Sequence, residues 1–572
     1  MDRYELISEI ANDPDNDAIR LRAAEWFENQ GGESNRARSE FIRIQLEREN
    51  LSKYDERQSE LRFRELSLLK DHVQSWTAGH FAFKKCIFRR GFIEYVHLHL
   101  KHYLHHRRQL NRLEPIRDLR LTGWPRASDS LVERVASCEE LRQIETLRLH
   151  NRGAHSEVQP NLLQLLCSPH LINLKKFVGC RVNFSDGDRR AFERLSILEQ
   201  IEDLVLPSLY GSGETKQWLQ DYEGDVKWAK LRSLSVYLRR SDENPLGNFV
   251  RQPFWKNLES LDIAGLDSSN DDGLLGLESL TANLPQKIKN LAITGTGIRT
   301  ISLSGGETPD QSGKEFLPLF EKITATNLES LTLNYINLPP EGLSKILDPR
   351  SDCKIQSLAL GDCEKVHLDT LANHAATDQL KSLSLVYSDT ICLLDDDVED
   401  STDEDKATML EGLVQSPAVS KLCSLSLWGF RLKRDLLNQL ARNAKSLQQL
   451  SLSDSNMLEE DMRGLLQEGC FEHLNWLEVG NEHCGNDTDG NQRINVEIAN
   501  ALGNFPRLIG LSFKWRPPNL VEVMQTLLAE SSVRWGAVEN YSEGNNASYR
   551  MTFAPKYWPP TNEGFKALQR WL

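Results

Sequence analysis

Five histidines fall within one short stretch, at His97, His99, His102, His105 and His106. Imidazole is a common zinc ligand, and the spacing could place His97 with His99 on one strand face and His102 with His106 on one helical face. No cysteine or carboxylate partner stands at a useful spacing nearby, so a solvated junction before the first repeat is the alternative interpretation. We predict no metal site and no cofactor, and leave open whether the His97–His106 cluster binds metal.

Three further stretches have the composition of ligand-binding loops without their spacing. Between Gly306 and Lys314 the glycines are too far apart for a phosphate loop, and Lys314 is followed by Glu instead of Ser or Thr. The acidic run Asp395 to Asp405 lacks the glycine and ligand order of a calcium loop, and the 486–491 stretch lacks the final Glu ligand. No Gly-x-Ser-x-Gly or His-Glu-x-x-His motif occurs, so we predict that the protein is not an enzyme and has no catalytic residues.

Composition and charge exclude several classes of protein. The chain has 572 residues and a formal net charge of −15, and this balance argues against non-specific binding to nucleic acid or anionic membrane. No stretch approaches the roughly 20 apolar residues of a membrane-spanning helix, and the amino terminus has no apolar signal-peptide core. The ten cysteines form no Cys-x-x-Cys pair. Free thiols of this kind are typical of a reducing compartment, so we predict a cytoplasmic protein.

A repeat must position these residues. The phrase Leu-x-x-Leu-x-Leu, with Ile, Val or Phe also allowed, recurs along most of the chain, and most steps of 25 to 30 residues leave room for a strand, a turn and a short helix. We therefore predict an α/β leucine-rich-repeat solenoid, or horseshoe, of about 14 repeats over 113–515, similar in period to the ribonuclease-inhibitor type. The copies, with a weak one at Leu174, begin at Ile116, Ile144, Leu174, Ile201, Leu231, Leu258, Ile288, Leu328, Ile355, Leu380, Leu422, Leu447, Leu474 and Leu508.

Three steps in the repeat are longer than the others and imply inserted loops, at 304–314, 394–406 and 481–491. All three loops are polar and lack a hydrophobic period. The sequence leaves open whether they bind a partner, are cleaved or are merely disordered.

The first 100 residues predict helices followed by a strand-like junction. Apolar residues at helical spacing are interrupted by Asn12-Asp13-Pro14-Asp15 and by Gly31-Gly32, whereas 81–100 alternates apolar and polar residues as strands do. The segments Asn12 to Asp17, Arg20 to Glu28, Arg36 to Gln45 and Phe88 to Glu94 resemble the repeat-companion domain of planctomycete bacteria, which typically precedes degenerate leucine-rich repeats. The resemblance implies a helical companion domain over 1–100 and a bacterial origin, but no activity.

Residues 516–572 are predicted to cap the array. Alternation around Trp535 and Met551, on either side of a polar turn, predicts a hairpin, and a short helix is predicted to end at Trp571. Because an open solenoid end exposes its hydrophobic interior, a small carboxy-terminal cap is the expected role.

Residues between the leucines of each copy point away from the core, because side chains alternate along a strand. We predict that these residues form a concave partner-binding face. Tryptophans on such a face are typical interface anchors, although Trp428 or Trp476 packing under a neighbouring loop is the alternative. The candidate contact residues are Arg120, Arg148, His150, Tyr237, Asp262, Trp428, Trp476, Glu478 and Lys514.

The sequence favours a non-catalytic scaffold or sensor of a bacterial cytoplasm that recognises a partner protein through the concave face or the inserted loops. One alternative is a regulator, inhibitor or substrate of a partner enzyme such as a protease. The other is a nucleic-acid-binding repeat protein, which a contiguous basic stripe would favour and the acidic net charge opposes. The sequence determines neither the partner, the pathway nor the oligomeric state.

Overall fold

The computed structural model describes the amino-terminal helices, the strands and many of the connecting helices. The chain divides into two compact units, one comprising Met1–Leu51, Asp71–Thr296 and Arg570–Leu572, the other Ser52–Lys70 and Gly297–Gln569. The described residues are 2–52, 55, 57–77, 85–123, 127–149, 161–179, 195–206, 228–237, 246, 249–266, 271–295, 314–334, 336, 338–348, 350–361, 363, 365–374, 379–387, 409–430, 432–453, 471–480, 510–513, 537–543 and 546–552.

Four helices precede the strands, as the apolar spacing predicts. Asp2 begins the first helix in a capping box with Glu5, and the Asn16 side chain accepts a hydrogen bond from an N–H of the second helix. Gly31 and Gly32 both have positive φ, 68° and 80°, which lets one helix end and the next begin within two residues. The helices are α1 Arg3–Asn12, α2 Asp17–Gln30, α3 Glu33–Asn50 and α4 Arg57–Thr77.

The first three helices share an apolar core with the second strand. Burying each large apolar side chain contributes about 1.5–3 kcal/mol relative to leaving it exposed, so this cluster holds the helices against the strand. Its buried members are Leu6, Ile7, Ile10, Ala23, Ala24, Phe27, Ile42, Leu46 and Phe92.

In the first unit an antiparallel hairpin leads into a parallel ladder. Arg90 and Gly91, with φ of 49° and 91°, form the two-residue turn between β1 (Lys85–Arg89) and β2 (Phe92–His99). From β2 onward each strand pairs in parallel with the next in sequence, so the parallel ladder begins at Tyr95. The later strands are β3 Asp118–Thr122, β4 Thr146–Leu149, β5 Lys176–Val178, β6 Asp203–Leu206, β7 Ser233–Tyr237, β8 Ser260–Leu266 and β9 Asn290–Gly295.

The second unit contains a parallel ladder that ends in a hairpin. The two strands of the hairpin pair antiparallel with each other, and the second of them pairs antiparallel with the last parallel strand, so the hairpin predicted from the alternating tail is present. The parallel strands are β10 Ser330–Asn334, β11 Ser357–Leu360, β12 Ser382–Val386, β13 Ser424–Trp428, β14 Gln449–Ser453, β15 Trp476–Gly480 and β16 Gly510–Phe513. The hairpin strands are β17 Ala537–Glu543 and β18 Asn546–Thr552.

A strand is present at each of the fourteen copies, including the weak copy at Leu174. The apolar pairs of neighbouring copies stand in register, as Leu119 does with Leu147 and Leu331 with Leu358, and these four side chains are at most 1% exposed. The result is an α/β protein whose parallel strands bury one side.

We call each parallel strand together with the connection that follows it a coil. Just before most of the parallel strands, a shared backbone carbonyl joins one coil to the next. The Arg117 carbonyl accepts hydrogen bonds from the N–H groups of Glu145 and Thr146, both at 2.9 Å. In the second unit the Cys423 carbonyl accepts from Gln448 and Gln449 at 2.8 and 3.0 Å. This repeated arrangement fixes the step from one coil to the next independently of the side chains.

Helices or 3-10 turns fill many of the connections. The helix predicted at Pro339-Pro340 begins at Pro340, where the missing N–H costs no helical hydrogen bond. The helices are α5 Leu100–Leu113, α6 Asp129–Ala136, α7 Asn161–Leu166, α8 Asp271–Ala282, α9 Leu317–Ile323, α10 Pro340–Ile346, α11 Lys365–Asn373, α12 Glu411–Gln415 and α13 Arg434–Asn443. The 3-10 turns are Glu139–Gln143, Ser196–Glu199, Phe249–Arg251, Pro253–Asn257, Lys314–Phe316 and Val419–Lys421.

Candidate protein-binding face

On each parallel strand the residues that alternate with the buried apolar pair lie on the opposite side of the sheet, which we call the strand face. In the first unit the strand face is charged over β2–β6 and small or polar beyond them. Its members are Tyr95, His97, Asp118, Arg120, Thr146, Arg148, Lys176, Val178, Asp203, Val205, Ser233, Ser235, Ser260, Asp262, Asn290 and Ala292.

Arg120, Arg148 and Lys176 lie on the charged part of this face, and Arg89 of β1 reaches it by contacting Asp118. We call these four cations the basic strip. Arg148 binds the Asp118 carboxylate with two hydrogen bonds of 2.8 and 3.0 Å, and Arg89 approaches the same carboxylate at 3.5 Å. The hydrogen bond to Asp118 raises the pKa of Arg148. Because neighbouring cations cover it, the Asp118 side chain is only 2% exposed although it lies on the strand face.

Arg120 occupies a different environment within the basic strip. It lies in register between His97 and Arg148 and is half-buried. Burial raises the pKa of the Tyr95 phenol, and the nearby Arg120 guanidinium opposes part of the rise. Among the residues that the structure describes, no carboxylate is ion-paired with Arg120.

The remaining charges of this face are paired with neighbours. Lys176 forms an ion pair with Asp203 on the next strand. Farther along, the exposed carboxylate of Asp262 accepts a hydrogen bond from the Ser235 hydroxyl at 3.0 Å. The predicted candidates Arg120, Arg148 and Asp262 therefore all lie on the strand face.

The strand face of the second unit is built mainly from small hydroxyl side chains. Trp428 and Trp476 interrupt it, and both are half-buried. Glu478 lies beside them, and its carboxylate accepts a hydrogen bond from the Ser451 hydroxyl at 3.1 Å. The face comprises Ser330, Thr332, Asn334, Ser357, Ala359, Ser382, Ser384, Val386, Ser424, Ser426, Trp428, Gln449, Ser451, Trp476 and Glu478.

Trp428 is held by its strand and by the residue that follows it. Its carbonyl accepts a hydrogen bond from the Tyr387 N–H at 2.8 Å. The next residue, Gly429, has a φ of 79°, and a Cβ there would lie 2.3 Å from the Tyr387 carbonyl oxygen. Only glycine permits this close approach of two chains, so the end of β13 is fixed where Trp428 stands on the face.

Several predicted positions lie outside the described residues. They are His150, Lys514, the side chain of Tyr237, the loops at 394–406 and 481–491, and the loop at 304–314 except Lys314, which is described.

The histidine cluster is divided between a strand and a helix. His97 lies on β2, and His99 caps α5 by accepting a hydrogen bond from the Lys101 N–H. His102 and His105 are exposed. The pKa of His106 is lowered, first by burial and to a smaller extent by the nearby His105 and His102. Within the described residues no group of three or more His, Cys, Asp or Glu is arranged to hold a metal ion.

A row of alternating charges lies at or just before the start of the strands of the first unit, and no single copy of the repeat reveals it. Glu145 pairs with Arg117 at 2.6 Å and with Lys175 at 3.3 Å, and Glu259 pairs with Lys289 at 2.9 Å. We call the row the charge ladder; from one coil to the next it consists of Glu94, Arg117, Glu145, Lys175, Glu202, Arg232, Glu259 and Lys289. Aligning the copies on their leucines reveals the sign alternation, because each rung lies at the same place in its copy.

Buried arginines join the amino-terminal helices to the first strands. Arg20 of α2 is fully buried; it donates to the carbonyl oxygens of Pro14 and Arg90 and is ion-paired with Glu94 of β2. Burial lowers the pKa of Arg20 and raises that of Glu94, and their mutual attraction opposes both shifts. Arg90 in turn pairs with Asp15 and Asp17.

Arg38 of α3 is the second buried arginine, with 2% of its side chain exposed. The rings of Phe27, Phe41, Trp76, Phe88 and Phe92 lie 4.9 to 6.0 Å from its guanidinium carbon. Its Nη2 lies 3.3 Å from both carboxylate oxygens of Glu114. Burial lowers the pKa of Arg38 to about 10, so it is still a cation at neutral pH.

Comparison with known proteins identifies no family. No protein-family model matches the chain, and no curated protein matches it significantly. Among solved structures it is similar to one described as the crystal structure of the Rad7 and Elc1 complex in yeast, with 14% identity, coverage of 86% of this chain and 90% of that chain, and a TM-score of 0.37. In the part of the chain that the structure describes, no helix combines the length and apolar character needed to cross a membrane.

Proposed function

We propose that the protein is a non-catalytic recognition scaffold or sensor of a bacterial cytoplasm that binds a partner protein. In this proposal it is a leucine-rich-repeat solenoid, a horseshoe of about 14 repeats, with a repeat-companion domain over 1–100 and a small carboxy-terminal cap. One strand at each copy, with in-register burial of the apolar pairs, supports the architecture. Stacked repeats of this kind create extended binding surfaces.

The placement of Trp428 and Trp476 on the strand face of the second unit carries the proposal. The register puts them two strands apart, about 10 Å across the strands, and four residues apart along them, about 13 Å. The hydroxyl side chains and Glu478 lie between and beside them. Two large aromatic side chains on a small-residue floor have the character of interface anchors, which bury much area at low entropic cost.

The test is affinity purification of the tagged full chain from its native cell, comparing the wild type with Trp428→Ala/Trp476→Ala. Tyr4→Ala/Leu21→Ala is the matched control, because it removes two exposed apolar side chains from helices outside the strand face. Loss of an anchor costs about 2 kcal/mol or more, so we expect the tryptophan variant to lose a partner that the control retains. Retention of every partner by the tryptophan variant would refute this face as the contact surface.

A further inference from the structure

We infer that the basic strip of the first unit binds an acidic peptide segment of the partner, with Arg120 as the residue that grips a carboxylate. The inference rests on the proposed function, because it assigns the chemistry of one segment of a protein partner. It concerns a different surface from the tryptophan pair, and the two can therefore be tested separately.

Local charge on the strand face favours an anionic segment. The basic strip contributes four cations, and the carboxylates of Asp118 and Asp203 offset two of them, which leaves a formal charge of +2 over β1–β6. The chain as a whole carries −15. A cationic surface on an acidic protein attracts anionic groups locally and excludes other copies of the same protein by their overall charge.

Arg120 is the cation of the strip that no described carboxylate has neutralised. Arg148 and Arg89 share Asp118, and Lys176 is paired with Asp203. The half-buried position of Arg120 beside the Tyr95 phenol restricts the guanidinium before any ligand arrives, which lowers the entropic cost of binding. A planar guanidinium can grip an incoming carboxylate with two parallel N–H donors.

The same observations favour a peptide over a nucleic acid. Nucleic-acid binding depends on many phosphate contacts, roughly six to ten in a typical complex, and only Arg120 is unpaired here among the described cations of the strip. Asp118 and Asp203 each neutralise part of the strip, which therefore does not offer a continuous row of free cations to a row of phosphates. Tyr95, the aromatic residue beside Arg120, is 6% exposed and offers no ring face on which a base could stack.

The experiment measures binding of a fluorescein-labelled peptide of alternating Glu and Ser residues to the full chain by fluorescence anisotropy at low salt. Arg120→Glu is the test variant. Arg251→Glu is the matched control, since it makes the same charge change at an exposed position of the same unit away from the strand face. We expect Arg120→Glu to weaken peptide binding by about tenfold or more and Arg251→Glu to change it little, because reversing one directly paired charge outweighs a change in net charge.

Four results would overturn the inference, and the first three do not involve the tryptophan variant. These three are no binding of the peptide by the wild type, equal weakening by the two arginine variants, and tighter Arg120-dependent binding of a single-stranded DNA of matched charge, which would assign the strip to nucleic acid. Peptide binding that is lost in Trp428→Ala/Trp476→Ala but kept in Arg120→Glu also overturns it, while leaving the proposed function in place. The opposite outcome is also distinguishable. If peptide binding depends on Arg120 while Trp428→Ala/Trp476→Ala retains every partner in the affinity purification, the basic strip is supported and the tryptophan face is contradicted.

Discussion

Replacing Glu114 by Gln is expected to destabilise the first unit more than replacing its buried partner Arg38 by Met. The Glu114 carboxylate, 3% exposed, lies 3.3 Å from Arg38 through both of its oxygens and 3.3 Å from Arg3. It also accepts a hydrogen bond from the Ile93 N–H of β2 at 2.8 Å. One carboxylate thus connects the helices α1 and α3 to the first parallel strand.

The two substitutions leave different groups without a partner. Glu114→Gln leaves the Arg38 guanidinium inside its aromatic cage without the carboxylate that compensates its charge, and arginine does not lose its proton at neutral pH. Breaking a buried pair in this way costs about 3–5 kcal/mol. Arg38→Met removes the cation instead, fits an aromatic cage, and leaves Glu114 with Arg3 and the Ile93 N–H. That loss should cost about 1–3 kcal/mol.

Hydrogen exchange is the suitable assay, because a chain of two compact units does not unfold in one two-state transition. Peptides that cover β2 report local opening, and peptides that cover β11 in the other unit are the internal reference. A cost of 3 kcal/mol corresponds to hydrogen exchange that is faster by roughly 150-fold. In Glu114→Gln the amides of β2 should therefore exchange faster by at least that factor, and the exchange rate of β11 should not change.

The double variant Arg38→Met/Glu114→Gln sharpens the comparison. Because it removes the uncompensated cation, β2 should be better protected in the double variant than in Glu114→Gln alone. Faster exchange in Arg38→Met than in Glu114→Gln, or a double variant that is worse than both, would show that the reasoning about the buried charge is wrong.

Three further expectations concern other features. Leu358→Ala in β11 should cost about 2–5 kcal/mol and speed hydrogen exchange in neighbouring strands, whereas Ser357→Ala on the strand face should change it little. Iodoacetamide should modify the exposed Cys167 in the native protein and spare Cys138, because burial raises the pKa of the Cys138 thiol to about 11; mass spectrometry of digested peptides distinguishes the two. Glu145→Lys places three cations on successive coils, so it should destabilise the first unit, measurably less at high salt.

Hydrophobic spacing was enough to predict the strands, since burial of a Leu-x-Leu pair depends only on alternation along the chain. It could predict which side of a strand a residue occupies but not its exposure. Asp118 lies on the strand face, yet Arg148 and Arg89, which come from other strands, cover it. Exposure depends on residues brought together by the stacking of coils, and those distances are absent from a local pattern.

The amino-terminal motifs illustrate the same limit. The segments that resemble the companion domain contain Arg20, Arg38, Arg90 and Glu94, and the structure buries all of them except Arg90, whose carbonyl accepts a hydrogen bond from Arg20. Charged residues in a helix ordinarily predict a solvated surface. Their burial follows from partners more than 70 positions away in the sequence, such as Glu94 for Arg20, which periodicity does not reveal.

The charge ladder begins at one of these buried residues. Glu94 is paired with Arg20 of α2 and lies 3.8 Å from Arg117, which is the next rung and is itself paired with Glu145. Because the signs alternate, a coil that skipped its neighbour and stacked on the next one would bring two like charges together. The leucine pairs alone do not distinguish these arrangements, since every copy offers the same apolar surface. The charge ladder therefore disfavours pairing between coils that are not neighbours. At its first position, the ion pair with Arg20 of α2 stabilises Glu94 in its charged form.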